Sequence, residues 1–253
     1  MRALLTIALF LLPAVTWAEE VVLGLSRDQI SITTRFEGSE VLIFGAVKRE
    51  TPIPEDSHLD VIVTVEGPSE PVMVRRKANR FGIWVNTDAV EVDAAPSFYA
   101  VAASGTLDTV LKDIEDLRYK ISIPRAIRSV GAPMTIQDSE SFTDALIRIR
   151  KNNGLYQDLD NHVTVEEQTL FRTSVRLPAN LTEGDYRTRI FLVRSGDVVA
   201  DFDTTIDVRK VGLERWLFTM SRQQPLLYGL MSLAIAIAAG WGASAAFRVL
   251  RNG

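Results

Sequence analysis

The feature that most constrains this chain is an uncharged apolar run over residues 226–247, followed by Arg248 and Arg251. As a helix rising about 1.5 Å per residue it would reach roughly 33 Å, which matches the hydrocarbon core of a bilayer. A transmembrane helix is therefore expected there. The beginning of the sequence carries a second membrane-related signal: Met1-Arg2, an apolar stretch over residues 3–15 broken by Pro13, then Thr16-Trp17-Ala18 ahead of Glu19-Glu20. This is the layout of a secretory signal peptide over residues 1–18, with small residues at the cleavage subsites. The expected organisation is an exported domain over residues 19–210, a juxtamembrane helix over 211–225, the anchor at 226–247 and a cytoplasmic tail at 248–253. In a bacterium that places a single-pass protein in the inner membrane, its N-terminal domain in the periplasm and its C-terminus in the cytoplasm.

Flanking charge argues the other way. Arg209, Lys210, Arg215 and Arg222 precede the anchor and only Arg248 and Arg251 follow it, which by the positive-inside rule alone would keep the domain in the cytoplasm. A signal peptide commits the chain to translocation before the anchor is made, and long domains cross regardless of local charge. Export remains the reading.

With 28 Lys and Arg against 32 Asp and Glu, a net charge of -4, the chain lacks the basic excess that nucleic-acid binding requires. It has no cysteine, so disulfides, thiolate metal sites and thiol catalysis are all excluded. The exported domain must hold together through its apolar core.

Residues 28–36, 40–48, 59–66, 72–77 and 81–85 are rich in Val, Ile, Phe or Thr and separated by Gly and Pro, as strands joined by hairpins would be. Residues 104–119 place Leu107, Val110, Leu111, Ile114 and Leu117 at helical spacing, and residues 141–151 do so with Phe142, Ala145, Leu146 and Ile149. Alternation then returns: Phe171, Thr173, Val175 and Leu177; Tyr186, Thr188, Ile190 and Leu192; and Val198, Ala200, Phe202, Thr204, Ile206 and Val208 each share a strand face. The segment Leu181-x-x-Gly184-x-Tyr186-x-Thr188 matches a tyrosine corner, in which the phenol bonds back to upstream backbone. The predicted fold is mainly β: an immunoglobulin-like antiparallel sandwich with a two-helix insertion at about residues 104–155. Two small domains split near Ser104 are the alternative.

In the juxtamembrane segment, Leu213, Trp216, Leu217 and Met220 fall on one helical face with Arg222 elsewhere, so Trp216, Arg222, Arg248 and Arg251 are candidate membrane-interface residues. In the anchor, Ser232, Ala236, Gly240 and Ser244 recur every fourth residue, with Gly229 one turn earlier. A face of small side chains permits close approach of another helix, so a membrane-protein partner or self-association is expected beside lipid.

Candidates for chemistry are sparse. Asp158, Asp160 and Glu166 begin like a calcium loop, but Val163 stands where the sharp turn needs glycine. His58 and His162 are too few and too distant for a zinc site without carboxylates. Arg75, Arg76, Lys77 and Arg80 form a candidate anion-binding cluster, since guanidinium forks match oxyanions. No nucleotide, metalloprotease or serine-hydrolase motif occurs, and no catalytic residue, metal or cofactor is assigned.

Phe36, Gly38, Glu40, Phe44 and Gly45, then LFRTSVRLP at 170–178, EGDYRTRIFLVRSG at 183–196, GLERWLF at 212–218, PLLYGL at 225–230 and GWGASAAF at 240–247 are motifs of a structural kind. In them the chain resembles an alphaproteobacterial transmembrane protein family, single-pass with an exported N-terminal domain. The resemblance implies architecture and location but no catalytic residue, together with an accessory role beside a transporter of the sulfite-exporter type. The expected function is a non-enzymatic, membrane-anchored interaction or accessory protein. The alternatives are an anion- or ligand-binding module using the arginines and an envelope enzyme using Asp158, Asp160 and Glu166.

Overall fold

Alternating and continuous apolar runs divide the strands of this chain into those covered on one face and those covered on both. A computed structural model describes residues 20–26, 28–32, 37–48, 58–130, 136, 138–210 and 213–252; the expected signal peptide lies outside them. Strands β1 (Glu20–Leu25), β2 (Gln29–Ile32), β3 (Ser39–Lys48), β4 (Leu59–Glu66), β5 (Ser69–Arg80), β6 (Ile83–Pro96) and β7 (Tyr99–Ala103) lead into helices α1 (Leu107–Val110), α2 (Asp113–Tyr119), α3 (Ile123–Ala126) and α4 (Ser139–Asn152). Strands β8 (Tyr156–Leu159), β9 (Thr164–Glu166), β10 (Leu170–Leu177), β11 (Gly184–Arg194) and β12 (Asp197–Lys210) follow, then helices α5 (Leu213–Gln223) and α6 (Pro225–Asn252). The structure is mainly β.

One sheet runs β1-β3-β10-β9, a second runs β2-β12-β11-β4-β7-β8, and β5 pairs with β6 as a separate ribbon. In the four-stranded sheet burial alternates: Val41, Ile43 and Val47 are inside while Leu42 and Phe44 face out. The six-stranded sheet is covered on both faces, since Val61 to Val65 in β4 and Ile190 to Val193 in β11 are buried without a break. Ile62, Tyr99, Val101, Phe191 and Val193 on one face form a single core with Val110, Leu111, Ile121, Ile123 and Leu146 of the helical insertion. Contacts of β10 with β7 and of β9 with β4 join the opposite face to the four-stranded sheet. The six-stranded sheet is thus the middle of three layers.

Two expectations require correction. The helix predicted over 104–119 is broken, because the Lys112 amide donates to the Gly196 carbonyl at 3.1 Å instead of continuing the helical ladder. The break re-aims α2, so that Ile114 and Leu117, expected in the core, are exposed, while Tyr119 packs edge-on against Phe191 with ring centroids 5.5 Å apart. With α3, the described residues of the insertion form four helices where two were predicted. The strand expected at 81–85 is the start of β6, which continues to Pro96, and β7 was not predicted.

The corner before β11 has the expected hydrogen bond: fully buried Tyr186 donates its hydroxyl to the Thr182 carbonyl at 2.7 Å. Burial pushes this phenol up to about 12. Gly184, at φ +149°, lies under Pro68, whose Cγ would be 2.5 Å from an added Cβ. Only glycine fits there.

Candidate functional site

Helix α6 starts on Pro225, whose fixed φ suits a first helical position. Its segment Pro225–Ser244 is long and apolar enough to cross a membrane, and none of it is buried against protein. Leu226, Leu230, Leu233, Ile237 and Trp241 all point outward. In a water-soluble helix that would be costly, whereas in hydrocarbon it is the favourable arrangement. The small residues Gly229, Ser232, Ala236, Gly240 and Ser244 follow the helical repeat down one side. Apart from the helix's own nearby backbone and the adjoining residues, nothing lies within 4 Å of a Cβ built at Gly229 or Gly240. The Ser232 hydroxyl donates to the Tyr228 carbonyl at 2.9 Å, satisfying its polarity within the helix. In α5, Trp216 is exposed. Arg248 and Arg251 fall in the last turns of α6.

The four basic residues on β5 differ in their surroundings. Arg76 donates to the Asp138 carboxylate at 2.6 Å and to Ser141 Oγ at 2.7 Å, and its guanidinium lies 4.5 Å from the Phe142 ring centroid. The hydrogen bond from Arg76 holds the Asp138 carboxyl below its ordinary value. Arg76 therefore fastens the ribbon to α4, while Arg75, Lys77 and Arg80 remain exposed.

The three carboxylates are also engaged separately. Asp158 pairs with Lys151, Asp160 accepts the Leu107 amide at 3.1 Å, and Glu166 pairs with Arg172 at 3.3 Å. His58 lies 3.8 Å from Asp60, and His162 is turned to the Asp160 carbonyl at 3.5 Å. Among the described residues, no group of three or more His, Asp or Glu is arranged to hold a metal ion. A different polar network surrounds Arg189, which donates to the Tyr119 and Lys120 carbonyls at 2.6 and 3.1 Å and so closes the end of α2. Tyr99 donates to the Ile121 carbonyl at 2.7 Å, and burial raises its pKa. These bonds position the insertion on the sheet.

Sequence reasoning missed the tip of the β5–β6 ribbon. Arg80 pairs with Ile83, leaving Phe81-Gly82 as a two-residue turn with φ of +52° and +82°. The Asn79 carboxamide oxygen accepts the Gly82 amide at 2.9 Å. Phe81 is fully exposed, and Ile83 and Trp84 are 66% and 65% exposed. A bulky residue in the left-handed region costs about 1–2 kcal/mol. The sequence signal was available: an N-x-F-G turn between two runs of strand-forming residues, with no acidic residue from Arg75 to Thr87.

A family model described as "Putative transmembrane protein (Alph_Pro_TM)" matches residues 20–249. No match is found among curated proteins.

Proposed function

The chain belongs to the Alph_Pro_TM family of transmembrane proteins, and on that premise we propose that it is a single-pass, membrane-anchored adaptor. In this reading the signal peptide exports an immunoglobulin-like domain to the periplasm and α6 holds it in the bacterial inner membrane. The observation that carries the proposal is α6 itself, apolar from Pro225 to Ser244 and unburied throughout. A helix of this composition gains its stability from lipid.

Support for an immunoglobulin-like domain comes from the strand orders, β1-β3-β10-β9 against β12-β11-β4-β7, which correspond to the A-B-E-D and G-F-C-C′ sheets of that architecture. The Tyr186 corner is the second support. The recurrence of Gly229, Ser232, Ala236, Gly240 and Ser244 down one side of α6 supports docking of another transmembrane helix along that face. We take the partner to be a membrane protein, with a transporter as the leading candidate from the resemblance above. The separate engagement of Asp158, Asp160 and Glu166 favours an adaptor over an enzyme, because catalysis needs polar groups converging in one pocket.

The test separates anchoring from docking. Gly240→Leu keeps the helix apolar but fills the small face, so insertion should persist while crosslinking from position 236 to a specific membrane protein should be lost. If α6 can be exchanged for an unrelated single-pass helix with the same crosslinked partner retained, docking does not occur through this face. A periplasm-dependent reporter fused at Lys210 should be active and one fused after Gly253 silent; the reverse pattern would refute export.

A further inference from the structure

The exposed tip of the β5–β6 ribbon is unexplained by an adaptor built only on α6. Phe81 occupies a left-handed turn position at which glycine or asparagine is favoured, and it contributes nothing to the core. Strain of this kind, held at an exposed site, points to a role outside the fold. The residues beyond the turn share the pattern: Ile83, Trp84 and Val85 are exposed, as is every residue over 79–87.

Register shows how the side chains are distributed. Arg80 pairs with Ile83, Asn79 with Trp84 and Ala78 with Val85. Paired residues share a face and successive residues alternate, so Ile83 and Val85 lie on one face of the ribbon and Trp84 on the other. A flat protein partner would need one apolar face. Each face carries an exposed apolar side chain beside a polar one, Ile83 across from Arg80 and Trp84 across from Asn79, with Phe81 at the apex; such an amphipathic end suits the boundary between water and an apolar medium.

Charge identifies that medium. The chain is acidic overall, with a net charge of -4, yet Arg75, Arg76, Lys77 and Arg80 stand in a stretch without an acid from Arg75 to Thr87. Arg76 is held by Asp138, which leaves Arg75, Lys77 and Arg80 exposed just behind the apolar tip. An aromatic and aliphatic apex backed by cations is the chemistry of a segment that enters the headgroup boundary of an anionic bilayer. Residues 211–224 link β12 to the membrane helix, so the chain itself connects the ribbon's domain to a lipid-embedded segment.

We infer that the β5–β6 tip is a second membrane contact: Phe81, Ile83 and Trp84 enter the interfacial region of the bilayer, and Arg75, Lys77 and Arg80 meet the phosphates of anionic lipids. The inference rests on the anchoring of α6 in that bilayer, and on no partner protein.

Because the chain lacks cysteine, Ile83→Cys gives a single labelling site. The full-length chain, labelled there with a polarity-sensitive nitrobenzoxadiazole fluorophore, is reconstituted into phosphatidylcholine vesicles with or without phosphatidylglycerol. With phosphatidylglycerol, the fluorophore should shift to the blue and be quenched by spin-labelled acyl chains, while a label at Glu70→Cys near the ribbon's base stays accessible to aqueous iodide. Replacing Arg75, Lys77 or Arg80 by Gln should weaken the tip's partition by about fivefold each. Iodide accessibility at position 83 equal to that at position 70 in both vesicle types would overturn the inference. Shielding that rises with protein density and ignores phosphatidylglycerol would also overturn it, by showing contact between copies. Alkaline carbonate extraction of the same samples separates the two readings: a chain that resists extraction with a wet tip refutes only the tip contact, whereas a chain that is extracted refutes the anchor.

Discussion

The β11–β12 and β5–β6 hairpins both close through two residues in the left-handed region, Ser195-Gly196 at φ +51° and +86° and Phe81-Gly82 at +52° and +82°. Their backbones turn alike, but their side chains answer to different surroundings. At Ser195-Gly196 the first residue is small and polar, and the turn is fastened to the insertion through the Lys112 amide and a 2.8 Å ion pair between Lys112 and Asp197. The strands behind it bury Tyr186, Ile190, Leu192, Ile206 and Val208. At Phe81-Gly82 the first residue is a fully exposed aromatic, and the apolar residues after it face outward. The first hairpin is built for the core of the domain. The second sets turn preference aside at its apex and is joined to the domain nearer its middle, through Arg76 and Phe142.

The comparison is most open to challenge at the buried hairpin. Tyr186→Ala should destabilise the domain by about 3–5 kcal/mol, as loss of a buried aromatic does, measured as the unfolding midpoint of the full chain in detergent. An unchanged midpoint would mean that the corner does not support β11. The same phenol gives a pH dependence with a defined sign. Its folded pKa of about 12 exceeds the unfolded value near 10, so its contribution is complete below about pH 10 and is lost as the pH rises toward 12. Over that window the wild type should lose more stability than Tyr186→Phe, and parallel curves would exclude Tyr186 as the cause.

A smaller effect is expected at the turn. Gly196→Val places a branched side chain at φ +86°, with an added Cβ 2.8 Å from Lys112 Cγ, and should cost at least about 1–2 kcal/mol by the same unfolding assay. Smaller still is Trp84→Ala, which should shift stability by no more than about 0.5 kcal/mol although it removes a large aromatic. A loss near that of Tyr186→Ala would show that Trp84 is packed, and the contrast between the hairpins would fail.

This contrast bears on what a single sequence reveals. Strand β10, the first half of β11 and β12 were legible because their apolar and polar residues alternate with period two. Helix α4 was legible from Phe142 and Leu146, both buried. Strand β7 was not, because Tyr99 to Ala103 are all buried and three of the five are alanine, so alternation is absent and Val101 is its one β-branched residue. The break between α1 and α2 depends on an amide of Lys112 bonding to Gly196, far along the chain, which no local pattern encodes. The candidate site divides in the same manner. The small-residue side of α6 is periodic and could be read directly, whereas the fastening of Arg76 by Asp138 and the exposure of the Phe81 turn depend on tertiary structure.

The most direct measurement pairs thermal unfolding with tip shielding in Phe81→Asn, assayed in the full-length chain carrying the label at position 83. Asn-Gly is the favoured pair for this turn, so relief of strain should stabilise the domain by about 1 kcal/mol, roughly 2–4 °C in midpoint. Shielding of the label in phosphatidylglycerol vesicles should fall in the same sample. A midpoint lowered by several degrees, or shielding retained in full, would contradict the assignment of this turn to the membrane.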